Sequence, residues 1–147
     1  MSNSNQIECV RKLWFCAGHR VVGHENKCAN VHGHNFTLWI HAKADKLDTV
    51  GRVIDFSILK EKVGTWIDEN WDHTFLMNRE DTLLMPIKDQ LCVNKEVFVC
   101  DFNPTAENMA SFLIDDICPK LMEGTGVSVT KIEIFETENN KVSVYKS

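Results

Sequence analysis

One stretch of the chain alternates between apolar and polar side chains almost without interruption. In residues 34–44, HNFTLWIHAKA, every second position from Phe36 to Ala42 is apolar. Successive side chains of a β-strand point to opposite faces of a sheet, so this alternation predicts a strand with one buried face. Such a strand has to pair with others, and the rest of the sequence supplies candidates for them.

Four further segments favour strands. Residues 7–18 are rich in β-forming residues, and residues 96–102, EVFVCDF, have the composition of a buried strand. Residues 127–137 and 142–146 predict two strands joined by a turn around Asn139-Asn140. These segments and residues 34–44 together predict one sheet.

Two segments instead show the three- and four-residue spacing of amphipathic helices. The first begins after Asp55, a suitable N-cap, and ends near Asn70. The second opens at Pro104-Thr105 and is expected to stop at Pro119. Residues 80–94 lack a clear period and predict irregular structure with a single helical turn. Because strands and helices do not alternate strictly, we expect an α+β fold with a mainly antiparallel sheet.

Length and composition limit the possible functions. The 147 residues predict a single domain, 1–147, and the net charge of −5 with scattered Lys and Arg argues against a nucleic-acid partner. No signal peptide is predicted, and no apolar stretch approaches the ~20 residues needed to span a membrane. The six cysteines are irregularly spaced without a CxxC pair, which predicts a reduced, cytoplasmic protein.

Three histidines suggest a metal site. His32 and His34 are separated by one residue, so in an extended chain both imidazoles leave the same face. His19, from the preceding predicted strand, can supply a third imidazole. Three neutral imidazoles and one open position are typical of catalytic zinc sites, where the metal polarises a bound oxygen. The alternative is three unrelated polar residues on the surface of the sheet.

A thiol lies four residues before the His32–His34 pair. Cys28 has polar neighbours, among them Asn26 and Lys27, which is typical of a loop. As a fourth ligand it would close the metal site and make the zinc structural. As a free thiolate it would act as a base. The spacing alone leaves both roles open.

Other positions also carry reactive groups. Asp72-His73 follows the first predicted helix, either as an ordinary C-terminal pair or as a histidine oriented by a carboxylate for proton transfer. Glu136, at the end of a predicted strand, is either solvated or able to bind the N–H edge of an aminopyrimidinone ring. Thr105 and Glu107 suit an N-cap and a first-turn acid.

Two rival functions follow from the same residues. In a structural or sensor domain, Cys28 and the three histidines would enclose the zinc, and chelation would unfold the protein. In a zinc hydrolase, Cys28 would be the nucleophile and His73 the base. The sequence contains no recognisable oxyanion or hydrolase motif, which counts against the second rival.

Six short motifs occur in an order that is specific to one family. Together they resemble the 6-pyruvoyltetrahydropterin synthase and 6-carboxytetrahydropterin synthase family, through nearly the whole chain. The motifs are FCAGH (15–19), CANVHGHNF (28–36), VIDFSILK (53–60), WDHTFLMN (71–78), NPTAENMA (103–110) and IFET (134–137).

The resemblance implies a role for each candidate residue and makes Cys28 a base rather than a fourth ligand. The implied residues are His19, His32 and His34 for zinc, Cys28, Asp72 and His73 for catalysis, and Glu136, Thr105 and Glu107 for the pterin.

The resemblance also implies a fold, an assembly and a reaction. The fold is the tunnelling fold, a four-stranded antiparallel sheet with two helices on one face. Three copies would close a barrel, and two trimers would stack into a homohexamer with active sites between subunits. The implied substrate is 7,8-dihydroneopterin triphosphate, from which triphosphate is eliminated.

The gap between Cys28 and His32 bears on the product. His32 lies four positions after Cys28, as in the 6-carboxytetrahydropterin synthases, which release acetaldehyde and supply 7-deazaguanine (queuosine) synthesis. The 6-pyruvoyltetrahydropterin synthases of tetrahydrobiopterin synthesis have a longer gap and are the alternative. We therefore expect the carboxy product. In this acidic chain, Arg20 and Lys27 flank the motif as candidate cations for the triphosphate.

Overall fold

A computed structural model describes residues 5–147, in which six strands form one sheet. The order across the sheet is β4-β3-β1-β2-β5-β6. Every strand predicted from the sequence is present. The strands are β1 (Cys9–His19), β2 (His32–Ala44), β3 (Thr74–Asn78), β4 (Phe98–Cys100), β5 (Val127–Thr137) and β6 (Asn140–Tyr145).

The sheet is mixed. The pairs β1–β2, β2–β5 and β5–β6 are antiparallel, whereas β3 is parallel both to the end of β1 and to β4. The expected number of four strands is therefore wrong, although β1, β2, β5 and β6 are four neighbouring antiparallel strands. The predicted α+β fold with a mainly antiparallel sheet is confirmed.

The strand missed by sequence reasoning is β3. Its first four residues, from Thr74 to Met77, are all buried, so it shows no alternation of polar and apolar positions. A short strand without alternation cannot be recognised from its period. Its position matters for the site, because it begins directly after Asp72-His73.

Two helices pack on the sheet, and each contains a π turn. Helix α1 consists of Phe56–Leu59, the π turn Lys60–Gly64 and Thr65–Asn70. Helix α2 consists of Ala106–Phe112, the π turn Leu113–Ile117 and Cys118–Leu121. Within residues 5–147, no helix has the length and apolar character that crossing a membrane requires.

The predicted N-caps are confirmed, but one predicted helix end is wrong. The side chains of Asp55 and Thr105 each accept a backbone N–H from the first turn of their helix. Helix α2 does not stop at Pro119 and continues to Leu121. Pro119 lies at the start of the last helical segment, where a residue without a backbone N–H is tolerated.

Both helices cover the same face of the sheet. Phe36, Leu38 and Ile40 are completely buried, as the alternation in β2 predicted. They share one apolar core with Val63 of α1 and Met109 of α2. This core anchors the ends of β1 and β2, from which the candidate metal ligands extend.

The other face of the sheet contains a buried ionic group. Glu133 of β5 accepts a hydrogen bond from His41 of β2 at 2.6 Å, and Lys141 of β6 is also bonded to its carboxylate. Burial raises the pKa of Glu133, but the hydrogen bonds from Lys141 and His41 outweigh it, so the pKa lies below its usual value. A carboxyl with a lowered pKa stabilises the fold above its unfolded-state pKa, and this contribution is lost as the pH falls.

We expect Glu133→Gln to lower the free energy of unfolding by about 2 kcal/mol at neutral pH, because it breaks a buried ionic pair. The difference from the unsubstituted protein should shrink as the pH falls through the lowered pKa of Glu133, because the carboxylate then loses its charge. Urea unfolding at several pH values measures both effects. Glu138→Gln, on the exposed turn before β6, is the control and should change little. A difference that stays constant with pH would contradict the assigned role of the Glu133 charge.

Candidate metal centre and active site

Three histidines converge at one end of the sheet. His19, the last residue of β1, pairs with His32 at the start of β2, and His34 lies opposite Ala17. All three side chains are on the helix-covered face, because alternate residues of a strand share a face. Their ring centroids are 4.6, 4.9 and 5.1 Å apart. Their candidate ligand nitrogens lie within 4.8 Å of one another.

Backbone carbonyls orient two of these imidazoles. Nδ1 of His19 lies 2.7 Å from the oxygen of Pro104, and Nδ1 of His32 lies 2.7 Å from the oxygen of Asn30. With Nδ1–H as the donor in each bond, Nε2 is left as the metal-binding atom. In the described residues, Nε2 of His19 and Nε2 of His34 are buried without a hydrogen-bond partner. Buried polar atoms normally have a partner, so this donor set fits a zinc ion.

Burial keeps two of the imidazoles neutral. It lowers the pKa of His19 to about 4, although the hydrogen bond to Pro104 acts in the opposite direction. It also lowers the pKa of His34, despite the nearby Glu136 carboxylate, which raises it. Neutral imidazole is the form that binds metals, so both side chains are ready to do so at neutral pH.

The carboxylate of Glu136 lies beside the three histidines. Its Oε2 is 3.8 Å from Nε2 of His34, too far for a hydrogen bond, and its side chain is about one-third exposed, at 34%. Pairing of β5 with β2 places it there, since Phe135 lies opposite Thr37. The carboxylate is thus available to accept hydrogen bonds from a ligand that lies next to the three histidines.

A carboxylate–histidine pair lies between α1 and β3. Oδ2 of Asp72 is 2.8 Å from Nδ1 of His73. The backbone of Cys16 in β1 fixes both residues: its N–H donates to Asp72 Oδ1 at 2.9 Å, and its carbonyl accepts the His73 N–H at 2.7 Å. His73 has a φ of 56°, a left-handed conformation that is uncommon for residues other than glycine. Such conformations persist only where the surroundings impose them.

Hydrogen bonds favour the ionised form of the Asp72 carboxyl. Burial raises the pKa of Asp72. Hydrogen bonds from Cys16 and His73, together with nearby positive charge, lower it by more, so the pKa lies below its usual value. The His73 side chain is 71% exposed. Because Asp72 engages Nδ1, the Nε2 of His73 remains available to exchange a proton with a ligand.

The thiol beside this pair is Cys16 and not Cys28. Within residues 5–147, the Cys16 sulfur and the ligand atoms of Asp72 and His73 lie within 4.8 Å of one another. Cys28 lies in the short 3-10 turn Lys27–Ala29 and belongs to neither this cluster nor the three-histidine cluster. One chain therefore assembles the three histidines and the Asp72–His73 pair, but it does not add Cys28 to either.

A shallow cavity connects the two clusters. Its volume is about 450 Å³, and its lining includes Cys16, His32, His34, His73 and Phe75. Apolar and polar groups therefore meet in one opening of a size that suits a small organic ligand.

Among the other candidates, Thr105 and Arg20 make structural contacts, whereas Glu107 and Lys27 are exposed. Thr105 caps α2 by accepting the Asn108 N–H at 3.2 Å, and Glu107 is exposed in the first turn of that helix. Arg20, predicted as a cation for the triphosphate, instead forms an ion pair with Asp81. Of the two predicted cations, only Lys27 is exposed.

Lys95 supports the turn that contains the Asp72–His73 pair. Its ammonium group donates to the backbone carbonyls of Asp68 and Asp72 at the end of α1. A cation suits the negative end of a helix, and hydrogen bonds from charged groups are stronger than neutral ones.

We expect Lys95→Met to lower the free energy of unfolding by about 1–2 kcal/mol, because two carbonyls lose a charged donor. Chemical unfolding measures the loss. Lys88→Met removes a lysine whose ion pair with Asp89 is exposed, and we expect it to change stability by less than about 0.5 kcal/mol. Equal effects of the two substitutions would argue against a specific role for Lys95.

Sequence reasoning missed several groups that position the site. The carbonyls of Pro104 and Asn30 carry no signal in residue type, because every residue has a carbonyl. The Arg20–Asp81 pair joins positions 61 residues apart, and no local pattern links them. Cys16 was visible as one of six cysteines and within the FCAGH motif, but sequence reasoning gave it no role of its own.

Comparison with known proteins identifies similar sequences. The sequence model of the 6-pyruvoyl tetrahydropterin synthase family matches residues 8–147. The 6-carboxy-5,6,7,8-tetrahydropterin synthase of Rickettsia felis is 41% identical over 138 residues, covering 94% of this chain and 99% of that protein. The Aquifex aeolicus protein of the same name is 32% identical, covering 79% of this chain and 74% of its own.

Solved structures show the same fold. An uncharacterized protein from Wolinella succinogenes superposes with a TM-score of 0.82 at 24% identity. The match covers 98% of this chain and 100% of that protein. The 6-pyruvoyl tetrahydropterin synthase of Caenorhabditis elegans gives a TM-score of 0.71 at 23% identity, with 100% of both chains covered.

Proposed function

The chain belongs to the 6-pyruvoyl tetrahydropterin synthase family, and we propose that it is a zinc-dependent lyase acting on 7,8-dihydroneopterin triphosphate. The proposed products are 6-carboxy-5,6,7,8-tetrahydropterin, triphosphate and acetaldehyde, with consumption of water, as a step of 7-deazaguanine (queuosine) synthesis. The observation that carries the proposal is the convergence of His19, His32 and His34 beside the Glu136 carboxylate, with Nε2 of His19 and Nε2 of His34 buried and without a hydrogen-bond partner among residues 5–147.

The three histidines would hold the zinc through Nε2. When bound, the metal supplies Lewis-acid polarisation of a substrate oxygen. The hydrogen bonds from His19 to Pro104 and from His32 to Asn30 keep the rings in the ligating tautomer. Glu136 would accept hydrogen bonds from the N–H edge of the pterin ring and so place the side chain of the substrate near the histidines.

Proton transfer would involve three further residues. The Cys28 thiolate would remove a proton from the side-chain carbon of the substrate. Asp72 orients His73 through Nδ1, so that Nε2 can return a proton during elimination of triphosphate. Thr105 and Glu107 are proposed to lie at the edge of the pterin pocket.

The geometry favours this open site over a closed structural one. A structural zinc domain would need Cys28 among the ligands, but within residues 5–147 its sulfur lies outside the group of histidine ligand atoms. A site with three protein ligands leaves one position for substrate.

The six free cysteines support the prediction of a reducing, cytoplasmic environment.

We propose that a second copy of the chain completes the active site in a homohexamer built as a dimer of trimers. Cys28 and the Asp72–His73 pair are not in one cluster within a single chain. Sheet edges are also available for pairing: β6 is at one end of the sheet, and β1 pairs with β3 only at residues 17–19. Unpaired strand edges favour association with another chain.

The test is incubation of the zinc-loaded protein with 7,8-dihydroneopterin triphosphate, followed by identification of the products by mass spectrometry. We expect a 6-carboxy product together with acetaldehyde and triphosphate. Zinc-stripped protein is the control and should give none of these three products. Absence of turnover by folded, zinc-loaded protein would overturn the proposal.

A 6-pyruvoyl product without acetaldehyde is the second candidate. The fold alone does not decide between the two products, since the Caenorhabditis elegans protein of that name has the same fold. The spacing of four positions from Cys28 to His32 and the names of the relatives at about 40% identity favour the carboxy product. Detection of the pyruvoyl compound as the final product would reverse this choice.

A further inference from the structure

An arginine–aspartate pair lies directly behind the turn that carries Cys28. Nε of Arg20 donates to Asp81 Oδ2 at 2.6 Å, and Nη2 donates to Oδ1 at 3.0 Å. The Asp81 side chain is 1% exposed and that of Arg20 is 16% exposed. Two parallel hydrogen bonds to a carboxylate fix the plane of the guanidinium group.

The third donor of this guanidinium group reaches the Cys28 turn. Nη1 of Arg20 donates to the carbonyl of Ala29 at 2.9 Å. The next residue, Val21, donates its N–H to the carbonyl of Cys28 at 2.8 Å. The carbonyls of two consecutive residues, Cys28 and Ala29, therefore both accept hydrogen bonds from the segment Arg20–Val21.

The turn has no apolar packing of its own. The segment Lys27–Ala29 contains no buried residue, and Asn26 before it provides no side-chain cap. Without apolar packing, the position of the turn depends on its hydrogen bonds. Asp81 is itself held in place, because Oδ1 also accepts the N–H groups of Leu83 and Leu84, each at 3.0 Å.

We propose that Arg20 and Asp81 are positioning residues that place the Cys28 thiol for its reaction. This inference rests on the proposed function for the role of Cys28 as a base, but the attachment of the turn stands on the contacts alone. It assigns a function to Asp81, at the start of the segment after β3 whose sequence predicts only irregular structure. It also explains why Arg20 is not free to bind a triphosphate.

Two substitutions separate this role from simple loss of folding. In Asp81→Asn, the amide oxygen can still accept the Leu83 and Leu84 N–H groups. The amide NH2 group cannot accept the Nε–H of Arg20, so that hydrogen bond is lost. Arg20→Lys keeps the positive charge but loses the bidentate pairing with Asp81 and the hydrogen bond to the Ala29 carbonyl. The matched control is Asp101→Asn, which breaks the exposed Arg79–Asp101 pair, 57% and 80% exposed.

Three quantities are measured on zinc-loaded protein: zinc content, steady-state kinetics, and alkylation of Cys28 by iodoacetamide without substrate, followed on the Cys28 peptide. We expect both substitutions to leave zinc content unchanged and to lower kcat about 10–100-fold, with KM within about twofold. Alkylation of Cys28 should become at least about threefold faster, because the released turn exposes the thiol. The control should match the unsubstituted protein.

Two outcomes would overturn the proposal. One is a raised KM in Arg20→Lys with Asp81→Asn unchanged, which would make Arg20 a substrate contact. The other is an unchanged Cys28 alkylation rate in both variants while they remain folded. If the unsubstituted protein does not turn over the pterin but alkylation changes as expected, the proposed function fails and the positioning of the thiol stands.

Discussion

His32→Ala is expected to abolish metal binding and to reduce the rate of triphosphate elimination by at least about a thousand-fold, since Lewis-acid catalysis contributes several kcal/mol. The substitution leaves two imidazoles, too few for a stable zinc site. His32 is the suitable ligand to remove because it is only half-buried at the start of β2, whereas His19 is buried. The fold should therefore survive. Zinc content by elemental analysis and product formation measure the two effects.

The control for this substitution is His24→Ala. His24 accepts the N–H of Asn26 in the loop before the Cys28 turn and belongs to neither cluster within residues 5–147. We expect zinc binding and activity close to those of the unsubstituted protein. Full zinc occupancy in folded His32→Ala would show that the metal binds elsewhere and would remove the basis of the proposed reaction.

Cys28→Ala is expected to retain zinc while losing about 10²–10⁴-fold in kcat, the usual contribution of a general base. The three histidines suffice as protein ligands, and Cys28 is not part of their cluster in residues 5–147. If Cys28 were instead a fourth ligand, the same substitution would weaken zinc binding and destabilise the fold. Zinc content and thermal unfolding, measured on the same sample as activity, distinguish these roles.

Cys92→Ala is the matched control, because Cys92 is also half-buried. Within residues 5–147, its sulfur has one hydrogen-bond partner, the Thr74 hydroxyl at 3.4 Å. It should change neither zinc content nor kcat appreciably. A second comparison is Cys16→Ala, because Cys16 is the thiol beside Asp72 and His73 within one chain. A larger loss of kcat in Cys16→Ala than in Cys28→Ala would identify Cys16 as the reactive thiol and contradict the assignment of Cys28.

The cluster of three histidines was predictable because it depends on local geometry. The alternation from Phe36 onward predicts β2, and the period of a strand then places His32 and His34 on one face. His19 directly follows the predicted strand 7–18, and the register of β1 with β2 shows that His19 and His32 meet. Each step uses residues close in sequence, where propensity and periodicity are informative.

The groups that position these residues were not predictable. Asp81 forms an ion pair with Arg20 because the segment after β3 returns to the end of β1. That return depends on the parallel pairing of β3 with β1, which packing in the core determines. The Pro104 carbonyl meets His19 because α2 begins beside that strand end. Backbone groups and distant ion pairs leave no pattern along the chain.

The sequence alone determined the α+β class, the histidine set, the candidate thiol and the resemblance to a pterin synthase family, because periodicity and residue type carry that information. The tertiary structure decided the sixth strand, the left-handed turn at His73, the engagement of Arg20 and the separation of Cys28 from the Asp72–His73 pair. These features arise from contacts between residues far apart in the chain. Their energies depend on packing and burial, which only the folded molecule provides.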